Sequence, residues 1–461
     1  MTDQITNLPA HRLATMIRDR DLSSIEVVET HLERIAEVNP ALNRRRSGHR
    51  GRSDGRREVG RREDGKRRYR WSASRGSVYG EGQHPGCRSG HDERDARDEG
   101  FRPGRDATVV KRLKAAGGIV LGKTNLPEIG MAGESDNLVY GRTNNPYDLD
   151  RTPGGSSGGE SAIIAAGGSP LGIGTDIGGS IRYPAHCCGI AGIKPTMGRI
   201  PWHVPYGYTD ELRQSGPMAR SVADLILALP LMAGADWQDP SAPPVPVGNP
   251  HDVTISSLRL AVYADNGVIT PVDEIVQAVD RAASALRESG ASVEENRPAE
   301  LDKTMDLFGR LLGASGGQQY LDALEAAGTT DDQISPMIRR FLDDVSNAAV
   351  STADFQRTIL EWDQHRSVIW GFFEKYDAVI CPVNSHPAPL HGTGSEHGLG
   401  LSYTAAYNIA GLPGAVVRAG QTEDGVPVGV QIVSRAWRED IALAIALELE
   451  NRLGGWQPPT I

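Results

Sequence analysis

The stretch from Pro153 to Thr196 constrains this chain more than any other. It reads PGGSSGGESAIIAAGGSPLGIGTDIGGSIRYPAHCCGIAGIKPT. Two glycine-flanked serines, Ser156 and Ser180, bracket a short run of small apolar residues. Glycine beside serine lets the backbone take positive φ and come close to a ligand. Gly178-Gly179-Ser180 can therefore present a hydroxyl and several N–H groups at one point. Acyl transfer needs those two things together, a nucleophile and donors aimed at a developing oxyanion. The run 161–168 predicts a buried, close-packed helix.

Other readings of the glycines fit less well. The pattern GxxxxGK[ST] occurs at Gly117–Thr124, but Ile119–Leu121 inside it reads as a buried strand rather than a phosphate-cradling loop. Gly155–Gly159 matches GxSxG, the nucleophile elbow of α/β-hydrolases, but the preceding Asp148–Pro153 is turn-like rather than a strand. Taken whole, GGSSGG followed by GTDIGGSIRYPA and GIKPT closely resembles the amidase signature family of serine hydrolases.

The resemblance implies one large α/β domain whose mixed, largely parallel central sheet is covered by helices on both faces. It also implies roles. Ser180 corresponds to the nucleophile, and Ser156, at a cis peptide bond, to the proton relay. The N–H groups of Ile177, Gly178, Gly179 and Ser180 correspond to the oxyanion hole. The family base is a lysine in G-x-P-x-x-x-K-D-N, which works only if burial depresses its pKa. No cofactor and no metal are implied, and no histidine is required. The implied partner is a small-molecule amide, with a homodimer as an admissible assembly.

That lysine motif is missing. Between Arg44 and Gly100 there is no Leu, Ile, Met or Phe, and arginine and glycine dominate. Such a composition cannot bury a core and predicts disorder. The resemblance stops at Asn43 and resumes near Arg105. The family spacing, counted back from Ser156, places Glu81 where the lysine belongs. Back-translating Arg75–His84 with permitted codons, and reading one base later, gives G-V-P-F-M-V-K-D-N. In the same offset 71–74 reads G-P-L-H and 91–94 reads T-T-S-G, also family phrases in the correct order. The sequence therefore reads as carrying two compensating frame changes, near residue 43 and near 95–105. Of the lysines that follow, Lys111 and Lys114 fit solvated helix positions, and Lys123 lies in GKTNLPE; none stands in a K-D-N context.

The remaining chain divides into 1–42 (N-terminal helices), 43–104 (aberrant), 105–235 (catalytic core), 236–375 (a variable portion shaping the substrate pocket) and 376–461 (C-terminal core). Ser23 and Glu26 form a capping box before IEVVETHLERIAEV. Val109 and Leu113 mark a helix face, and Ile119–Leu121 a buried strand. Arg182 is expected to fix loop carbonyls or pair with Asp176, and Lys194 to be structural. Trp202, Tyr206 and Tyr208 fit pocket or core equally. Strand 258–263, helix 272–289 and strand 291–294 predict a parallel βαβ unit. Strands are expected at 378–381 and 428–433, and a closing helix at 441–452.

A net charge of −10 gives no case for nucleic-acid binding. The sequence offers no signal peptide and no apolar run of membrane-spanning length, and its four cysteines form no spaced framework. A cytoplasmic setting is the expectation. Two rivals to an active amidase stay open. One is an inactivated family member lacking its base. The other is the A-type subunit of a glutamyl-tRNA amidotransferase, although TDELRQSGP departs from the S-x-D-x-x-G-P phrase found there.

Overall fold

The computed structural model describes residues 5–44, 77–81, 106–202, 212–326 and 329–461. Two N-terminal helices, α1 (Ala10–Asp19) and α2 (Ser24–Leu42), open the chain. The capping box is present: Ser23 Oγ accepts from the Glu26 N–H, and Glu26 accepts from the Ser23 N–H. A small antiparallel sheet combines β1 (Asn43–Arg44), β4 (Asp136–Asn137) and β5 (Gly141–Thr143).

Ten strands form the main sheet. In chain order they are β2 (Ser77–Glu81), β3 (Ile119–Thr124), β6 (Leu171–Asp176), β7 (Ala191–Lys194), β8 (Gln214–Ala219), β9 (Arg259–Val262), β10 (Ser292–Glu295), β11 (Ala378–Pro382), β12 (Gly414–Gln421) and β13 (Pro427–Ser434). Their spatial order is β10-β9-β11-β13-β12-β7-β8-β6-β2-β3. The sheet is mixed. Pairing is parallel on the two flanks, β10-β9-β11 and β6-β2-β3, and antiparallel through the centre. This is the mixed sheet expected; at its centre β12 returns directly into β13 across a short turn, which only antiparallel strands allow.

Helices cover both faces. The connections carry α3 (Thr108–Ala115), α4 (Gly158–Ala165), α5 (Arg182–Cys187), α6 (Val222–Met232) and α7 (Asp273–Glu288). They continue with α8 (Thr304–Gly313), α9 (Gln318–Ala326), α10 (Pro336–Asn347), α11 (Thr352–Phe372), α12 (Ser402–Ile409) and α13 (Glu439–Leu453). Strand side chains alternate between the two cores, as a two-residue period requires. Leu260 and Val262, Ala378 and Ile380, and Ala415 and Val417 pack with α6, α7 and α13, whereas Ala261, Val379 and Cys381 face α12. Burial on both sides explains why these strands read as unbroken apolar runs. No described helix is long and apolar enough to cross a membrane.

Several expectations are refined. The expected βαβ unit is present, with β9 and β10 parallel and joined by α7. Strand β3 is half-buried along most of its length, not buried, because it is the last strand of the sheet. The stretch GPMARSVADLILALPLMAG has the pattern of one amphipathic helix, but its first four residues, 216–219, belong to β8. Within the Arg/Gly-rich segment, Ser77–Glu81 form a strand where composition predicted none, parallel to both β6 and β3. The expectation of disorder for the rest of that segment, like the readings of Tyr206 and Tyr208, concerns residues outside those described.

Candidate active site

Both serine loops are built by the packing of α4 on β6. A Cβ on Gly172 would stand 1.7 Å from Glu160 Oε1 on α4, and one on Gly174 would stand 3.0 Å from Oγ of Ser157, the residue that caps α4. Only glycines let the helix come so close. Every residue of α4 is buried, as its Ala/Ile run predicted, although the helix starts at Gly158 and stops at Ala165.

The first loop, Gly154–Ser157, lies at the N-terminus of α4, and its Gly155–Ser156 peptide bond is cis. Ser156 is 1 % exposed. Ser135 holds this loop from outside. Its Oγ donates toward the carbonyls of Ser156 (2.9 Å) and Gly154 (3.2 Å) and accepts from the Gly158 N–H (3.0 Å). A Cβ on Gly155 would stand 2.5 Å from the Ala132 carbonyl, so the 132–135 segment lies directly against the turn.

The second loop, Ile177–Ile181, joins the end of β6 to α5. Gly179 has φ +149°, and a Cβ there would stand 2.5 Å from Thr404 Oγ1. The two loops touch: the Ser157 N–H donates to the Ser180 carbonyl at 3.3 Å. Ser180 is partly exposed, whereas Ile177, Gly178 and Gly179 are buried. The structure thus brings Ser156, Ser180 and the three residues 177–179 into one place. Glu81 is the last residue of β2, in register with Thr124 at the end of β3; its side chain is outside the described set.

A buried ion pair locks the second loop. The Asp176 carboxylate accepts two hydrogen bonds from Arg182, from Nε and Nη2, each 2.9 Å long. It also accepts from the Ile181 N–H at 3.2 Å and from Asn408 Nδ2 at 2.9 Å. Burial pushes the Asp176 carboxyl up, but the Arg182 cation and these donors outweigh it and hold it below its ordinary value. Arg182 Nη1 donates onward to the Thr404 carbonyl (3.0 Å) and to Gln431 Oε1 (2.7 Å), and Nη2 to Asn408 Oδ1. Of the two uses expected of Arg182, fixing carbonyls and pairing with Asp176, it serves both. Thr404 Oγ1 donates to the Gly178 carbonyl at 2.5 Å.

Lys194 lies deeper, fully buried, with Nζ donating to the Pro195 carbonyl at 2.8 Å. Burial and the neighbouring Arg182 cation bring it down to about 7, against the pull of Asp176 and Glu439. Trp202 is stacked under the Arg213 guanidinium, 5.0 Å from its ring centre. Among the described residues, no cluster of His, Cys, Asp and Glu could hold a metal.

Sequence reasoning missed Ser135, Thr404, Asn408 and Gln431. Asn408 and Gln431 had a signal: each is an amide side chain within an otherwise apolar, buried run. Buried amides need partners, and here both accept from Arg182.

A sheet-borne pair of glycine-rich serine loops, fixed by a buried arginine–carboxylate lock, defines an amide-hydrolase scaffold, and comparison with known proteins agrees. The Amidase family model matches residues 96–443. Indoleacetamide hydrolase of Bradyrhizobium diazoefficiens is 34% identical, over 96% of this chain and 86% of its own length. The A-type glutamyl-tRNA(Gln) amidotransferase subunit of Roseiflexus castenholzii is 34% identical over 78% of each chain. The solved structure of 6-aminohexanoate cyclic dimer hydrolase with its substrate superposes with a TM-score of 0.84 at 26% identity, covering 99% of both chains. The chain belongs to the amidase signature family.

Proposed function

We propose that this scaffold hydrolyses a small carboxylic amide to acid and amine through an acyl-enzyme on Ser180. The observation that carries the reading is the meeting of the two loops. The cis turn at Ser156 touches the Ser180 loop, and Asp176 and Arg182 fix that loop in place. Ser180 Oγ attacks the amide carbon while its proton passes to Ser156. The N–H groups of residues 177–180 receive the oxyanion. When the C–N bond breaks, the relayed proton leaves on the amine, and water then cleaves the ester. No cofactor enters this scheme, and we place the enzyme in the cytoplasm.

Starting the sequence needs a base, and position 81 holds glutamate where the family has lysine. We assign this to the two compensating frame changes. A second reading rests on the same residue: the chain as it stands is an inactivated family member. The amidotransferase relatives act, by name, in a tRNA-linked reaction. The TDELRQSGP stretch supports a free-standing hydrolase instead.

Resequencing codons 40–106 and assaying ammonia release from indole-3-acetamide tests the reading. The frame-corrected chain should be active, and its Ser180→Ala variant should lose at least about a thousandfold. The chain with Glu81 should be slower by a similar factor. A Ser180→Ala variant that keeps its activity refutes the acyl-enzyme. Unaltered DNA together with an inactive product establishes the inactivated form.

A further inference from the structure

The Ser180 loop has two unlike sides. Toward the sheet it meets Asp176, Arg182, Asn408 and Thr404. Toward α8 it meets hydrocarbon. A Cβ on Gly178 would stand 2.9 Å from Phe308 Cζ and 3.6 Å from Leu401 Cδ2, and one on Gly179 would stand 3.4 Å from Leu401 Cδ1. Phe308 belongs to a cluster with Ile177, Leu312 and Trp362, against which the partly buried Met131, Met305 and Leu401 pack. Ser180, Met131 and Leu401 are all partly exposed, so this apolar wall reaches the surface beside the nucleophile.

Among the described residues, several charged and polar groups near the wall have partners of their own. Glu128, next to the 129–131 turn, accepts from the N–H groups of Leu138 and Ser335, both at 3.1 Å, and so holds the residue that caps α10. Arg310 on α8 pairs with Asp306 and Glu361. The Trp362 indole N–H donates to the Ile409 carbonyl. A charged acyl chain laid on the hydrocarbon of Phe308 and Leu401 would lose water. Apolar acyl chains would gain from burial, and unbranched methionines let the surface adapt to their shape.

We propose that this wall receives the acyl half of the substrate, with Phe308 and Leu401 in contact with it. The chain then prefers amides of apolar carboxylic acids, arylacetic or medium-chain aliphatic, over amides whose acyl chain carries a carboxylate or an ammonium group. The proposal rests on Ser180 marking the reaction centre.

The test is binding to the full-length Ser180→Ala chain, which cannot turn substrate over. Butyramide, hexanamide, phenylacetamide and glutamine are titrated by calorimetry. Each added methylene should tighten binding about three- to fourfold, and glutamine should bind at least tenfold more weakly than hexanamide. Leu401→Asp, at a partly exposed position, should weaken phenylacetamide at least tenfold, and Leu401→Ile should restore most of it. Affinity that is flat with chain length, equal binding of glutamine, or an indifferent Leu401→Asp overturns the proposal. A frame-corrected chain that binds apolar amides but releases no ammonia refutes acyl transfer and leaves the apolar wall standing. Ammonia released from glutamine as fast as from hexanamide does the reverse.

Discussion

Replacing Arg182 by methionine should be the most damaging single change near the site. The side chain and its partner Asp176 are both 0 % exposed. The variant keeps the volume and removes the charge. It leaves a carboxylate in the core facing Asn408 and two loop N–H groups, without its cation. Breaking a buried pair from one side costs about 3–5 kcal/mol. The acceptors on Thr404, Asn408 and Gln431 lose a donor as well, at about 1–3 kcal/mol each if left unpaired, and these terms are not additive. A loss of at least about 3–5 kcal/mol is a large share of the roughly 5–15 kcal/mol that holds a folded chain together. Urea unfolding followed by circular dichroism reads the global loss. Hydrogen exchange at the Ile181 N–H, which donates to Asp176, reads the local one. The double variant Asp176→Asn/Arg182→Met removes the stranded charge and should recover about 1–3 kcal/mol. An Arg182→Met chain within about 1 kcal/mol of the parent, or a double variant that is simply additive, would refute the argument that the ion pair locks the loop.

Three further outcomes follow from the geometry. Ser135→Ala removes the hydroxyl that serves Ser156, Gly154 and Gly158 and should cost about 1–3 kcal/mol in urea unfolding, with faster amide exchange at Gly158. Gly179→Ala combines an unfavourable φ with a contact to Thr404 Oγ1 at 2.5 Å, and should abolish ammonia release by a frame-corrected chain while leaving the far-ultraviolet spectrum intact. Burial, reinforced by Asp224, raises Glu450 from the usual 4.5 to about 7. The folded state therefore holds a proton that the unfolded state releases, so this residue's stabilisation is complete below about 4.5 and fades as pH rises through 7. Glu450→Gln should accordingly gain on the parent across that window, by roughly 3 kcal/mol or less, in urea midpoints measured from pH 5 to 8.

What the sequence disclosed depended on how local the cause was. Helix α4, the capping box at Ser23 and the β9–α7–β10 unit follow from residue spacing within one segment, and all were legible. The strand β8 was not, because residues 216–219 run straight into the helical pattern of α6, while the pairing that makes them a strand comes from β6 and β7. The serines Ser156 and Ser180 stood out through their glycines. Their supports did not, since Ser135, Thr404 and Gln431 gain meaning only from neighbours distant in sequence. The side of the loop facing Phe308 was equally hidden: α8 lies in a portion whose composition is that of any amphipathic helix.

The lock on Arg182 also sets a schedule. Its acceptors Asn408 and Gln431 lie 226 and 249 residues downstream, close to the end of the chain. A nascent polypeptide exposes both serines long before those acceptors leave the ribosome, and long-range contacts of this kind form late. Until then the arginine has Asp176 alone, and Thr404 has not yet met the Gly178 carbonyl. A loop locked in this order is complete only once Gln431 has been made, so fragments that end before it carry the two serines without the full set of contacts that hold Arg182.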